Sequence, residues 1–272
     1  MKIPLALSYR LLVRRAASSM LGCALVLDAG ASPAADRDDG VAYDRTGRVA
    51  YRETHWRYAE GDSRLRLVLY RCADGRPFAR KRLRWQQANE ASPDFDFLDQ
   101  RDGYREGLVS GPDGREVYWQ PGSTAGERRA QVRLAPDSVA DAGFDSFIRR
   151  RWDELATGNP LRTAFLLPAD LAAVPVVIRR VPGVEPGAAF PGVRFTVELD
   201  RWYAFAVPAL SLTYDQTARR LREFQGAVTI RDDRGKRQTL RVVFPAAAPS
   251  TATDGEIAAA TAEPLTARCQ ES

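Results

Sequence analysis

The sequence predicts a mainly β protein: a single curved antiparallel sheet, half-barrel-like, with one main amphipathic helix. Three observations lead there. Period-two alternation of apolar and polar residues recurs in short stretches from Val41 to about Leu134 and again from Phe165 to Phe244, the spacing of half-buried strands. Short polar turns separate these stretches, which favours neighbouring antiparallel strands. The spacing changes to three and four in one place, between Phe144 and Leu155. Without a long alternation of helices and strands, a doubly wound nucleotide-binding fold is not expected.

Taken in order, the elements are these. Leu65, Leu67 and Leu69 alternate with Arg64, Arg66 and Val68, giving one apolar and one mixed strand face. Ala73-Asp74-Gly75-Arg76 then turns the chain toward Phe78–Trp85, so 64–85 reads as a hairpin. Pro112-Asp113-Gly114 repeats the turn chemistry between Leu108 and Trp119, and Ala130, Val132 and Leu134 mark a further strand. Phe144, Phe147, Ile148, Trp152 and Leu155 form the helical stripe, with Ser138 or Asp141 as cap and Gly158-Asn159-Pro160 as stop. The Arg149-Arg150-Arg151 run is read as its solvated face. Strands resume at Phe165–Leu167, Val174–Val181, Phe195–Leu199 and Leu210–Tyr214. Val228 and Ile230, a turn at 232–235, and Leu240, Val242 and Phe244 make a second hairpin. Gln216–Phe224 fits helix or strand.

Outside the β-rich domain at 41–245, composition assigns the rest. Residues 1–34 read as a signal peptide: Lys2, Arg10, Arg14 and Arg15 precede an uncharged, mostly apolar run from Ala16 to Leu27, and small residues follow. That run falls short of the roughly 20 residues a membrane-spanning helix needs. Cleavage after Ala31 or Ala34 satisfies the small-residue rule, and Ala34 is favoured. An uncleaved anchor, acylation at Cys23 and a twin-arginine signal at Arg14-Arg15 are rival readings of the segment. Residues 35–40 are taken as a short linker, and 246–272, rich in Ala, Thr and Pro, as a disordered tail.

Charge and residue counts exclude much chemistry. The chain of 272 residues has a formal charge of +5, but 1–34 hold four basic residues and one acidic, so +2 remains without them. A balance of 36 basic against 34 acidic residues gives nucleic acid no large patch, and it is rejected as a partner. One His, two Met and three Cys leave no material for a His-rich metal centre or a zinc ribbon. No cofactor, metal or nucleotide motif occurs: G-x-S-x-G, a Walker loop, H-E-x-x-H, C-x-x-C and G-x-G-x-x-G are all missing. His55, the only imidazole, lies in the strand-like run Tyr51–Tyr58 and reads as an ordinary half-exposed strand histidine. Export would leave Cys72 and Cys269 in an oxidising compartment. They form either a disulfide pinning the tail, or a buried apolar cysteine and a loose thiol.

Asp94, Asp96 and Asp99 gather around Phe95, Phe97 and Leu98. Alternation would set Asp94 and Asp96 on one face, either as an acid/base or calcium pair or as the wet side of a strand with a buried aromatic side. Two functions follow. In one, the sheet and helix enclose an apolar hollow for a lipid or other hydrophobic ligand in the cell envelope, with no covalent chemistry and with a membrane surface as a further contact. Trp85, Trp119, Trp152, Trp202, Phe165 and Phe205 supply aromatic surface, most of it core. In the other, the protein is an exported hydrolase using the aspartates. A scaffold acting through its outer surface is a third reading.

Three stretches carry a resemblance: Tyr70–Lys81, Phe95–Gly107 and Leu221–Pro245. They resemble uncharacterised exported proteins of Gram-negative bacteria, which implies a periplasmic or secreted location and assigns no site residue. In architecture alone, the strand-rich plan with one helix resembles periplasmic lipoprotein carriers, which adds weight to ligand binding.

Overall fold

The computed structural model describes residues 35–86, 90–183, 192–201, 208–232 and 234–270. Segment 1–34, read above as a signal peptide, and Trp202 and Phe205 lie outside them. The described chain is mainly β, as its alternation requires. One antiparallel sheet holds fifteen described strands. In chain order they are β1 (Ala35–Tyr43), β2 (Val49–Glu60), β3 (Ser63–Arg71), β4 (Pro77–Trp85), β5 (Asp94–Asp99), β6 (Tyr104–Gly111), β7 (Gly114–Gln120) and β8 (Arg128–Val132), then β9 (Leu161–Leu167), β10 (Ala172–Val181), β11 (Val193–Leu199), β12 (Leu210–Tyr214), β13 (Leu221–Arg231), β14 (Arg237–Val243) and β15 (Ser250–Ala252). Spatial order runs from β8 down to β1, then β14 back to β9, with β15 also on β1. Two up-and-down wings, β1–β8 and β9–β14, therefore share a seam at β1 and β14.

The sheet is open but strongly curled. Across the hollow, Thr229 Oγ1 on β13 donates to Glu106 Oε1 on β6 at 3.3 Å, and Arg231 meets Asp102 at 2.5 Å. Leu166 of β9 shares a core cluster with Phe95 of β5 and Val242 of β14. At the far edge, Val139 makes a parallel bridge to Phe165 of β9, while Ala140 N donates to the Ala91 carbonyl at 3.0 Å. A single stretch of chain thus stitches β9 to the turn before β5.

The helical stripe forms two consecutive helices, α1 (Gly143–Arg150) and α2 (Trp152–Ala156), broken at Arg151. Phe147, Ile148, Trp152 and Leu155 are buried against Phe195, Leu212 and Tyr214 on the concave face. Trp152, Phe195 and Tyr214 meet edge to face with centroids 5.2–5.8 Å apart. Neither Ser138 nor Asp141 caps α1: its N-cap is Ala142, with no side-chain cap. Gly143 opens the helix because a Cβ there would stand 1.9 Å from the Ala91 carbonyl oxygen.

Two boundary readings are corrected. Residues 35–40 are the first half of β1, whose N-terminal part pairs with β15 and whose C-terminal part pairs with β14. The 246–272 segment is likewise ordered through much of its described length, as β15 and a third helix, α3 (Asp254–Ala262). Thr253 caps α3 in a reciprocal capping box with Glu256. Small Ala260 and Ile257 let α3 lie on the convex face over Trp56, Leu67 and Leu69. A Cys72–Cys269 disulfide and the two-pronged Arg71–Glu263 pair, at 2.9 and 2.7 Å, hold the segment down. Gln216–Phe224 is a turn leading into β13, which starts at Leu221.

Candidate functional site: a hollow with an apolar wing and a charged wing

The curled sheet and α1 enclose a cavity of about 660 Å³, within the size of ordinary small-molecule sites, roughly 300–1,000 Å³. Its wall is not uniform. On the β9–β14 wing the inward side chains include Val174, Val176, Val197, Leu199, Leu210 and Val228. One apolar row continues across the seam as Phe195, Leu212, Phe224, Val242, Ala42 and Tyr51, each directly opposite the next. Phe144 of α1 stacks on Phe224 at 6.3 Å.

The β1–β6 wing turns charge inward. One row reads Asp38, His55, Val68, Lys81, Phe97 and Glu106; its neighbour reads Asp36, Arg57, Arg66, Leu83 and Phe95. Buried charge needs compensation, and most of it is compensated. Lys81 Nζ meets Asp141 Oδ2 at 2.5 Å, both side chains about nine-tenths buried. Burial disfavours the Lys81 ammonium, but Asp141 and Glu106 outweigh it and hold its pKa above the usual lysine value. Asp141 reaches it from the left-handed conformation, φ 46°. Glu106 accepts from the Tyr104 hydroxyl at 2.5 Å; burial, opposed by Lys81 and that hydrogen bond, raises its pKa. Arg57 approaches Asp38 at 3.5 Å.

His55 is not the half-exposed strand histidine its neighbours in sequence suggest. It is buried, edge to face with Phe244 at 5.5 Å, and its Nε2 lies 2.9 Å from Glu53 Oε1. Burial lowers its pKa despite Glu53, so the ring is neutral at pH 7. Glu53 then fixes the tautomer: Nε2–H donates to the carboxylate, leaving buried Nδ1 as an acceptor without a partner.

Sequence reasoning passed over Arg66. Among the described residues no hydrogen bond or ion pair reaches it, and its Nε is buried without a partner. Its guanidinium stands 5.1 Å from the Trp85 ring, and burial followed by the charge of Arg57 pushes its pKa down to about 10. Arg57 is its direct cross-strand partner, an arrangement of like charges that costs stability.

The aspartate cluster is dispersed. Asp94 and Asp96 point to the convex face, where Asp94 pairs with Arg115 at 2.8 Å and accepts from Ser110, and Asp96 accepts from the Tyr118 hydroxyl. Asp99 points inward, buried, and pairs with Arg101 at 2.8 Å. The three carboxylates do not converge on a polar cleft. The Arg149-Arg150-Arg151 run is tied into surface pairs with Asp145, Glu90 and Glu154. Among the described residues there is no group of three His, Cys, Asp or Glu able to hold a metal, and no helix long and apolar enough to cross a membrane.

No family model, curated protein or solved structure matches the chain.

Proposed function

We propose that this is an exported binding protein that carries a hydrophobic ligand in the hollow of its sheet, working in the cell envelope without covalent chemistry. The observation that carries the reading is the apolar wing: a concave wall of Val, Leu and Phe side chains left around about 660 Å³ instead of being packed shut. Protein interiors ordinarily fill such space, because an apolar void forfeits dispersion contacts. The leader-like segment 1–34 and the Cys72–Cys269 disulfide support export into an oxidising compartment. Carboxylate-driven hydrolysis has the weaker support, since Asp94 and Asp96 are engaged on the opposite face from the cavity.

Three measurements test this. Fractionation with intact mass of the purified protein is expected to find a chain lacking its first residues in the envelope or medium. Native mass spectrometry is expected to show a small apolar adduct that organic solvent removes. Val228→Trp places a large ring against the hollow from a half-buried position and is expected to abolish binding of a fluorescent apolar probe while the circular dichroism spectrum stays unchanged. Wild-type protein that takes up neither probe nor lipid would refute the carrier reading.

A further inference from the structure

On the charged wing Arg66 is a cation that no acid among the described residues pairs with, although Asp36, Glu53 and Glu106 line the same cavity. Arg57 has Asp38, Lys81 has Asp141, and Arg149 has Asp145 at 3.7 Å. The two acids whose charge acts most favourably on Arg66, Asp145 and Asp141, are thus already held by other bases. Arg66 keeps its full charge inside the protein, facing the cavity, with Arg57 opposite it and only an aromatic ring beside it. Arg66 is half-buried, its Nε covered without a partner, and a guanidinium so placed gains from an anion that reaches its open nitrogens. A guanidinium is also the group best shaped to take two oxygens of a carboxylate or phosphate side by side. Arg66 lies on the same cavity as the apolar wall of Val197, Leu199 and Leu210, so a ligand touching both has a charged end and a hydrocarbon end.

Resting on the carrier reading above, we propose that the ligand is a single-chain amphiphile with an anionic head, its chain along the β10–β13 wall and its carboxylate or phosphate oxygens on Arg66.

The test uses the full, delipidated protein above neutral pH, with palmitate, hexadecyl phosphate and methyl palmitate competing against a fluorescent apolar probe. An anionic head on Arg66 predicts that palmitate or hexadecyl phosphate binds at least about tenfold more tightly than methyl palmitate, the scale of one charge-assisted contact. The tighter of the two identifies carboxylate or phosphate as the head. Arg66→Gln is expected to erase that preference and leave methyl palmitate binding unchanged; Arg66→Lys is expected to keep part of it. Equal affinity for all three in the wild type overturns the head-group assignment and leaves the carrier reading standing. So does a preference that survives Arg66→Gln. Failure of all three to displace or bind overturns the carrier reading itself.

Discussion

The two wings of the sheet solve the same folding problem with different materials. On the β9–β14 wing, Phe195, Leu212 and Phe224 face inward, and α1 and α2 supply Phe147, Ile148 and Trp152 to cover them. Stability there comes from apolar area and close packing. On the β1–β6 wing, the inward rows hold Asp38, His55, Lys81, Glu106, Arg57 and Arg66, and the apolar Leu67 and Leu69 point outward to be covered by α3. That wing interleaves its paired charges with a buried cluster that includes Tyr51, Tyr70, Phe78, Leu83, Phe97 and Leu108, and it is clamped on its convex side. One sheet can therefore present a greasy wall and a charged wall to a single space, provided each is backed by a different cover.

Substitutions with similar costs should separate the two strategies. Phe195→Ala empties a fully buried site touching Trp152 and Tyr214, and a loss of about 3–5 kcal/mol is expected from urea unfolding. Lys81→Met strands Asp141 inside and is expected to cost about 3–5 kcal/mol as well. The difference lies in rescue: adding Asp141→Asn to Lys81→Met should restore most of the loss, whereas no single partner change restores Phe195→Ala. Failure of that rescue would mean that the loss at Lys81 comes from its packing rather than from the stranded Asp141 charge. Reduction of the Cys72–Cys269 bond, which closes a loop of sequence separation 197, is expected to cost about 2–4 kcal/mol. The loss should register first as hydrogen exchange in β1–β3 and α3.

The charged wing carries a pH dependence through its buried groups. The His55 pKa lies below the ordinary imidazole value of 6.5, chiefly through burial, with Glu53 opposing and Arg66 and Arg57 adding to it. The unfolded chain then binds the proton more readily, so stability is full above about pH 6.5 and falls as pH drops toward the folded pKa. His55→Asn should flatten that slope in unfolding curves, measured against the contribution of Glu106, whose raised pKa acts in the opposite direction. The smallest effect is expected at Asp96, partly exposed on the convex face. Asp96→Asn should change stability by about 1 kcal/mol or less and leave ligand binding intact; loss of an activity there would revive the hydrolase reading.

The hairpins were legible because turn residues and alternation sit next to each other in sequence. The direction each strand faces was not. Leu65, Leu67 and Leu69 form an apolar row, yet it is the mixed row with Arg66 and Val68 that lines the hollow, because α3 covers the leucines. The tail was read as disordered from its Ala, Thr and Pro content, but small residues are what allow close contact with Trp56. Thr253 and Glu256, spaced three apart, were the available signal of a helix start. Residues 35–40 lacked an apolar pattern because the inward Asp36 and Asp38 face the charged rows. The burial of His55 depends on Phe244, and the solitude of Arg66 on Asp141 and Asp145 being held by other bases; both are facts of long-range pairing that periodicity does not encode.

The seam has a consequence for biosynthesis. β1 leads the described strands, yet its C-terminal half waits for Arg241–Val243 and its N-terminal half for Ser250–Ala252. A nascent chain therefore carries an unzipped flank until nearly all of it has left the ribosome, and pairings so distant along the chain form slowly. Such a polypeptide completes its sheet only after residues 241–252 have been made.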